Sequence, residues 1–283
     1  MAGTLYIVST PIGNLQDMSA RAVKVLKDAD LIACEDSRHT KKLLSHFGIN
    51  TTLTSYHEHN ELSKSKKLIE ELAQGKNIAL VTDAGTPCVS DPGYRIVNLA
   101  VKNLVKVVPV PGPSSVFAAL AASGLPSDKF LFLGFLPKTK RQVEKLFEPH
   151  ANEPYTLIIF ESPKRIKKSL GYLLESLGNR KAVLCRELTK LYEEILYGSL
   201  KELAETIAER DSVKGEITVV IEGLKEDESV SSEDKEAVVS NRLKTLNNLG
   251  LSLKDSVKVV CKDYNISKKE VYDKALIIWG NQQ

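Results

Sequence analysis

Over the first 124 residues, short apolar runs alternate with amphipathic stretches. Thr4-Leu-Tyr-Ile-Val-Ser9 is β-rich and ends at Pro11-Ile-Gly-Asn14, after which Ala22, Val25, Leu26 and Ala29 recur at helical spacing. Asp30-Leu-Ile-Ala-Cys34 reads as a second strand. Helices follow from Thr40 to Phe47 and from Glu61 to Ala73, each stopped by a glycine, Gly48 or Gly75. Ile78-Ala-Leu-Val81 and Val105-Lys-Val-Val-Pro-Val110 are two more strands. Strand followed by helix, repeated in this way, predicts a mostly parallel sheet. The pattern restarts after Gly124-Leu-Pro126. Strands are expected at 130–135, 156–160, 182–185, 193–197 and 215–223, with an amphipathic helix after Arg165. Residues 1–124 and 125–223 therefore read as two α/β domains.

The periodicity then gives way to charge. Residues 224–236 hold six acidic and two basic residues with few apolar ones, which is linker composition. Residues 237–283 reverse the sign, with eight Lys and Arg against four Asp and Glu. Three helical segments fit this tail. Ser252-Leu-Lys-Asp255 and Ser267-Lys-Lys-Glu270 both have the spacing of a capping box, on either side of an Asn265-Ile266 turn. Two capped helices across a short turn have helix-turn-helix spacing.

Bulk composition narrows the class only modestly. A chain of 283 residues with 42% hydrophobic content has enough apolar material for large cores. The net charge of +3 neither requires nor excludes nucleic acid. Cys34, Cys88, Cys185 and Cys261 are scattered without a CxxC pair, which argues against a zinc knuckle and a disulfide framework. Met1 leads directly into the first strand with no basic leader, and no apolar run approaches the ~20 residues that span a bilayer. A reducing cytoplasm is the expected setting, with no membrane partner. His57 and His59 flank Glu58 as if sharing a strand face, but no third ligand lies at metal-site spacing, so no metal is expected.

The chemistry is expected at two loops, Asp83-Ala-Gly-Thr-Pro87 and Pro111-Gly-Pro-Ser-Ser115, each between an apolar run and a helix. Glycine and proline at strand exits let the backbone approach a ligand and fix its direction. In an open α/β sheet, such loops at adjacent strand ends form the binding crevice. No GxGxxG follows the first strand and no GxxxxGK[ST] occurs, which disfavours a nicotinamide dehydrogenase and a P-loop NTPase. Small residues, hydroxyls and backbone donors without fixed positive charge suit an adenosine-like ligand. Turn formation by Asp83 and helix capping by Ser114 or Ser115 are structural roles compatible with this one.

Taken in order, Ser9-Thr-Pro-Ile-Gly-Asn14, Glu35-Asp-Ser-Arg38-His-Thr40, Asp83-Ala-Gly-Thr-Pro87, Ser90-Asp-Pro-Gly93, Pro111-Gly-Pro-Ser-Ser115, Gly134-Phe-Leu-Pro137 and Glu161-Ser-Pro163 resemble the tetrapyrrole-methylase superfamily. Within it they are most similar to the branch that methylates small-subunit ribosomal RNA, and the tail matches that branch's helical extension. The resemblance spans about residues 4–223. It implies S-adenosylmethionine bound between two α/β domains, a homodimer, and 2′-O-methylation of a cytidine ribose in the decoding region of 16S rRNA. It places the cofactor against Pro11, against Asp83, Ala84, Gly85, Thr86 and Pro87, and against Ser114 and Ser115. Phe160 and Thr218 are implied from the second domain.

A ribose hydroxyl is a poor nucleophile until its proton is accepted or its oxygen polarised. Glu35, Arg38 and Glu161 are the candidates for the catalytic site, with the base itself left open. Lys138, Lys140 and Arg141, then Lys164 and Arg165, and in the tail Lys268 and Lys269, are candidates for RNA contact. Each of these basic runs also fits an ordinary solvated helix face, and Glu35 to Arg38 fits a local ion pair. Two other functions stay open on the same residues. One is C-methylation of a tetrapyrrole precursor, which gives the basic tail nothing to do. The other is a non-catalytic sensor of S-adenosylmethionine that binds nucleic acid through the tail.

Overall fold

The computed structural model describes residues 2–224, 232–248, 251–264 and 267–280. Most of the acidic linker and the Asn265-Ile266 turn lie outside them. The chain divides into two compact units, residues 1–224 and 225–283.

The first unit holds two five-stranded sheets. In the first, β1 (Thr4–Val8), β2 (Leu31–Cys34), β3 (Leu53–Ser55), β4 (Ile78–Leu80) and β5 (Lys106–Val110) are all parallel, in the order β3-β2-β4-β1-β5. Alternate residues of one strand pack on opposite faces, as the pleat requires. Ile32 and Cys34 join a core with Ala22 and Leu26 of α1 (Ala20–Asp28) and Leu44 of α2 (Ser37–His46). Ala33 faces the other way, toward Leu68 and Leu72 of α3 (Glu61–Ala73) and Ile96 and Ala100 of α4 (Tyr94–Lys102). Complete burial of leucines such as Leu26 and Leu68 contributes roughly 1.5–3 kcal/mol each. This order sets the C-terminal ends of β4, β1 and β5 side by side, with the loops that follow them at one edge.

The second sheet is mixed, in the order β6-β7-β10-β8-β9. β6 (Phe130–Phe135) runs parallel to β7 (Thr156–Glu161). β10 (Ile217–Ile221) lies antiparallel between β7 and β8 (Lys181–Arg186), and β9 (Glu194–Ser199) is antiparallel to β8. One face is covered by α6 (Lys140–Phe147), α7 (Ile166–Leu177) and α8 (Leu200–Ala208). The other is covered by α5 (Ser115–Ser123), whose Val116, Ala119 and Leu120 pack on Ile158, Val183 and Val220. A helix that directly follows the last strand of the first sheet thus seals the second.

Local chemistry explains where elements depart from the periodicity. The expected helix at Thr40 begins three residues earlier, because the Asp36 carboxylate accepts the Arg38 N–H (2.8 Å) and caps α2. His57 and His59 do not share a strand face: β3 ends at Ser55, and Asn60 holds a turn by accepting the His57 N–H at 2.9 Å. Among the described residues, no group of three or more His, Cys, Asp and Glu is arranged to hold a metal ion. No helix among them is long and apolar enough to cross a membrane.

In the second unit, α9 (Ser232–Asn248), α10 (Leu253–Tyr264) and α11 (Lys268–Gly280) enclose a small core of Val239, Leu243, Leu246, Val257, Val260, Val271 and Ala275. α9 begins inside the segment read as linker. Ser252 and Ser267 accept the backbone N–H of Asp255 (3.2 Å) and Glu270 (3.3 Å), and their hydroxyls donate to the same two carboxylates.

Candidate active site

Between the ends of the first sheet's strands and the second sheet lies a cavity of about 440 Å³. Three strand-exit loops of the first sheet are tied together at its edge. Thr10 and Gly85 exchange backbone hydrogen bonds at 2.9 and 3.0 Å, and the Thr10 hydroxyl donates to the Thr82 carbonyl. Gly85 sits at φ 87°, the left-handed region a side chain disfavours. The Thr86 hydroxyl pairs with that of Ser9 at 2.9 Å and donates to the Pro113 carbonyl, joining the β1, β4 and β5 exits. Ser114 takes the N-cap position of α5 but forms no side-chain capping bond.

These ties separate residues that face the cavity from residues that frame it. Ala84 and Asp83 line it, and so does Ser115 at the start of α5. Pro11, Gly85, Thr86, Pro87 and Ser114 are not on its wall; they build the loops behind it. From the second sheet Phe160, Glu161 and Thr218 line the opposite side. Leu188 and Cys185 supply apolar wall that no sequence signal distinguished from core, and Ile12, inside the first quoted motif, and Ile217, beside Thr218, complete it. Asp91 and Phe135 also line it. Neither was named from the sequence, although both lie inside quoted motifs, Ser90-Asp-Pro-Gly93 and Gly134-Phe-Leu-Pro137, and that was the signal that could have found them.

The cavity is acidic. Glu35, Asp83, Asp91 and Glu216 all reach it, and Lys190 offsets Glu216 from 3.3 Å. Glu35 accepts a hydrogen bond from the Thr82 hydroxyl (3.2 Å), and Asp83 accepts the Asp36 N–H (3.1 Å). Burial pushes the Glu35 carboxyl up, and the charge of Asp83 adds to it. Burial, followed by the Glu35 charge, raises Asp91 to about 6. Carboxylates crowded in a cleft and displaced from their ordinary range mark functional sites more often than structural ones, and they favour a cationic ligand.

Arg38 is elsewhere. Its side chain is 88% exposed and binds Asp36 at 2.8 Å, holding that carboxyl well below the usual range, off the cavity wall. Glu161 does line the cavity, yet it is 2% exposed and engaged in ion pairing. It accepts from Arg165 (2.6 Å), from the Ser162 N–H and from the Ser169 hydroxyl. Arg165 also donates to the Leu136 carbonyl (3.0 Å), so its guanidinium is directed inward. Lys140 pairs with Glu175 and Glu144. Lys138, Arg141, Lys164, Lys268 and Lys269 are exposed.

Residues 4–204 match the family of tetrapyrrole (corrin/porphyrin) methylases. The chain is 46% identical over 274 residues to a ribosomal RNA small subunit methyltransferase I from Halalkalibacterium halodurans, covering 96% of this chain and 94% of that one. It is 47% identical over 282 residues to the protein of the same name from Vibrio cholerae, covering 99% and 94%. Among solved structures, a diphthine synthase matches with a TM-score of 0.62 at 18% identity, over 78% of this chain and 90% of that one, a likeness of fold. The chain belongs to the tetrapyrrole (corrin/porphyrin) methylase family.

Proposed function

We propose that this protein is a cytoplasmic, S-adenosylmethionine-dependent methyltransferase. It acts, as a homodimer, on the 2′-hydroxyl of a cytidine ribose in the decoding region of 16S rRNA. The observation that carries the reading is near-full-length similarity to proteins named for small-subunit rRNA methylation, combined with an acidic cleft at the strand ends.

The cleft fits the methyl donor chemically. Ile12, Leu188 and Ile217 offer apolar surface to an adenosine, and Glu35 and Asp83 offer negative charge to a cation. When bound, S-adenosylmethionine supplies a methyl carbon activated by a positive sulfonium. The protein's own part is placement and charge: Ala84 and Ser115 bound the cleft, held by the Thr10–Gly85 and Ser9–Thr86 ties. In-line placement of reactants can lower the barrier by several kcal/mol, about 7–11 in the best intramolecular cases.

The test uses the full-length protein, labelled S-adenosylmethionine and small ribosomal subunits lacking the mark, with the methylated nucleotide mapped by mass spectrometry. A single 2′-O-methylcytidine in the decoding region is expected. No transfer to subunits, with transfer to a tetrapyrrole precursor, refutes the reading.

RNA contact by the tail has its own measurement. Replacing Lys268 and Lys269, both exposed, with alanine is expected to lower the slope of log K against log salt by about 1.4, the loss of two phosphate contacts. The dissociation constant for small subunits, measured across a salt series, reads this directly. An unchanged slope removes the two lysines from the interface.

A further inference from the structure

β6 carries an irregularity with a consequence for the cleft. Phe130, Leu131 and Phe132 pair with Thr156, Leu157 and Ile158, but Phe135 pairs with Phe160, so β6 spends one residue more than β7. Gly134 sits in the bulge at φ 67°. The bulge decides which face Phe135 joins. By strict alternation Phe135 belongs with Leu131 and Leu133, which pack toward α6 and α7. The extra residue turns it over. Phe135 instead packs edge-on against Phe160, with centroids 5.4 Å apart, and lines the cleft with 57% of its surface exposed.

The bulge abuts the loop that carries Asp91. A Cβ on Gly134 falls 3.3 Å from Ser90 Oγ. Cys88 and Ser90 hold positive φ, 72° and 60°, so this loop is wound tightly before α4. Asp91 borders two spaces at once: the main cleft, and an adjoining groove lined by Tyr94 and Arg95. Among the described residues, Asp91 is the one carboxylate of the cleft that also borders that groove. An exposed aromatic ring and a carboxylate thus line one corner, where the β6 bulge meets the Asp91 loop.

We infer that this corner receives the target nucleotide: the base of an unstacked pyrimidine stacks on Phe135, and Asp91 takes the proton of its ribose 2′-hydroxyl. The inference rests on the rRNA-methyltransferase reading above. Single-stranded RNA is commonly read by stacking unpaired bases on aromatic side chains. In the transfer, the hydroxyl proton passes to the Asp91 carboxylate and the oxygen's electron pair forms the new O–C bond. The methyl carbon's bond to sulfur breaks with its pair left on sulfur, giving a neutral thioether, a methyl ether and a protonated Asp91.

The groups facing Asp91 set the pH dependence. Glu35 and Asp83 face it from the first sheet, Glu216 from the second, and Cys88 from its own loop. Burial first, and then the charges of Glu35, Asp83 and Glu216 (the last offset by Lys190), raise its affinity for a proton, so it is a stronger base than a free aspartate and is still ionised at neutral pH.

The test compares Phe135→Ala, Phe135→Tyr and Asp91→Asn with the wild type on small subunits lacking the mark, and measures equilibrium binding of subunits without cofactor and of S-adenosylmethionine alone. Phe135→Ala is expected to weaken subunit binding roughly 10-fold or more, leave S-adenosylmethionine binding within about twofold, and be restored by Phe135→Tyr. Asp91→Asn is expected to lower kcat by about 10²–10⁴-fold, keep both affinities, and abolish the rise of kcat/KM through pH near 6. Phe135→Ala weakening S-adenosylmethionine binding instead assigns the corner to the cofactor and overturns the inference. An Asp91→Asn variant with wild-type kcat and pH profile overturns the proton step. Both results presuppose an active wild type; an inactive one refutes the underlying reading, a separate outcome.

Discussion

Gly93→Ala is expected to lower kcat/KM by about 10²-fold and to reduce stability by roughly 1–3 kcal/mol. Gly93 holds φ 142°, a conformation closed to other residues, at the N-cap of α4. A Cβ there lies 2.6 Å from Cys88 Sγ and 2.9 Å from Leu80 Cδ2, inside contact distance of a fully packed strand. The loop has to yield, and Asp91 is two residues away on it. Steady-state methyl transfer alongside a thermal melt measures both effects. A variant with wild-type kcat/KM shows that the conformation of this loop does not matter to the reaction.

Glu161→Ala is expected to cost about 3 kcal/mol, the usual penalty for removing one member of a buried ion pair. For a unit of this size that lowers the melting temperature by about 6–12 °C. The carboxylate is 2% exposed, and its removal strips partners from Arg165, the Ser162 N–H and Ser169 together. Because Arg165 also holds the Leu136 carbonyl, the loss spreads to the segment after β6. Glu161→Gln, which keeps the shape and part of the hydrogen bonding, separates support from chemistry. Near-normal transfer by a folded Gln variant confines Glu161 to structure, and loss of transfer returns it to the reacting groups.

The strands and the helices between them were legible because each buries one periodic face, as Ile32 and Cys34 against Ala33 illustrate. The loops were legible because glycine and proline mark strand exits. Side-chain direction was not. Glu35 and Arg38 stand three residues apart in one polar segment, yet the first reaches the cleft and the second lies in solvent, since Asp36 turns the chain into α2 between them. Phe135 was hidden for a related reason: a one-residue bulge reverses the face that alternation assigns. Apolar wall residues such as Leu188 and Cys185 carry no local mark, because burial against a ligand and burial against a core select the same side chains.

The placement of α5 also matters during synthesis. Val116, Ala119 and Leu120 leave the ribosome with the first sheet, but the β10 residue they cover, Val220, is about a hundred residues further on. At roughly 5–20 residues per second, that helix waits about 5–20 s with its apolar face bare. The nascent first half therefore carries that bare face, and a fragment ending at Gly124 keeps it permanently. Completion of β10 ends that exposure.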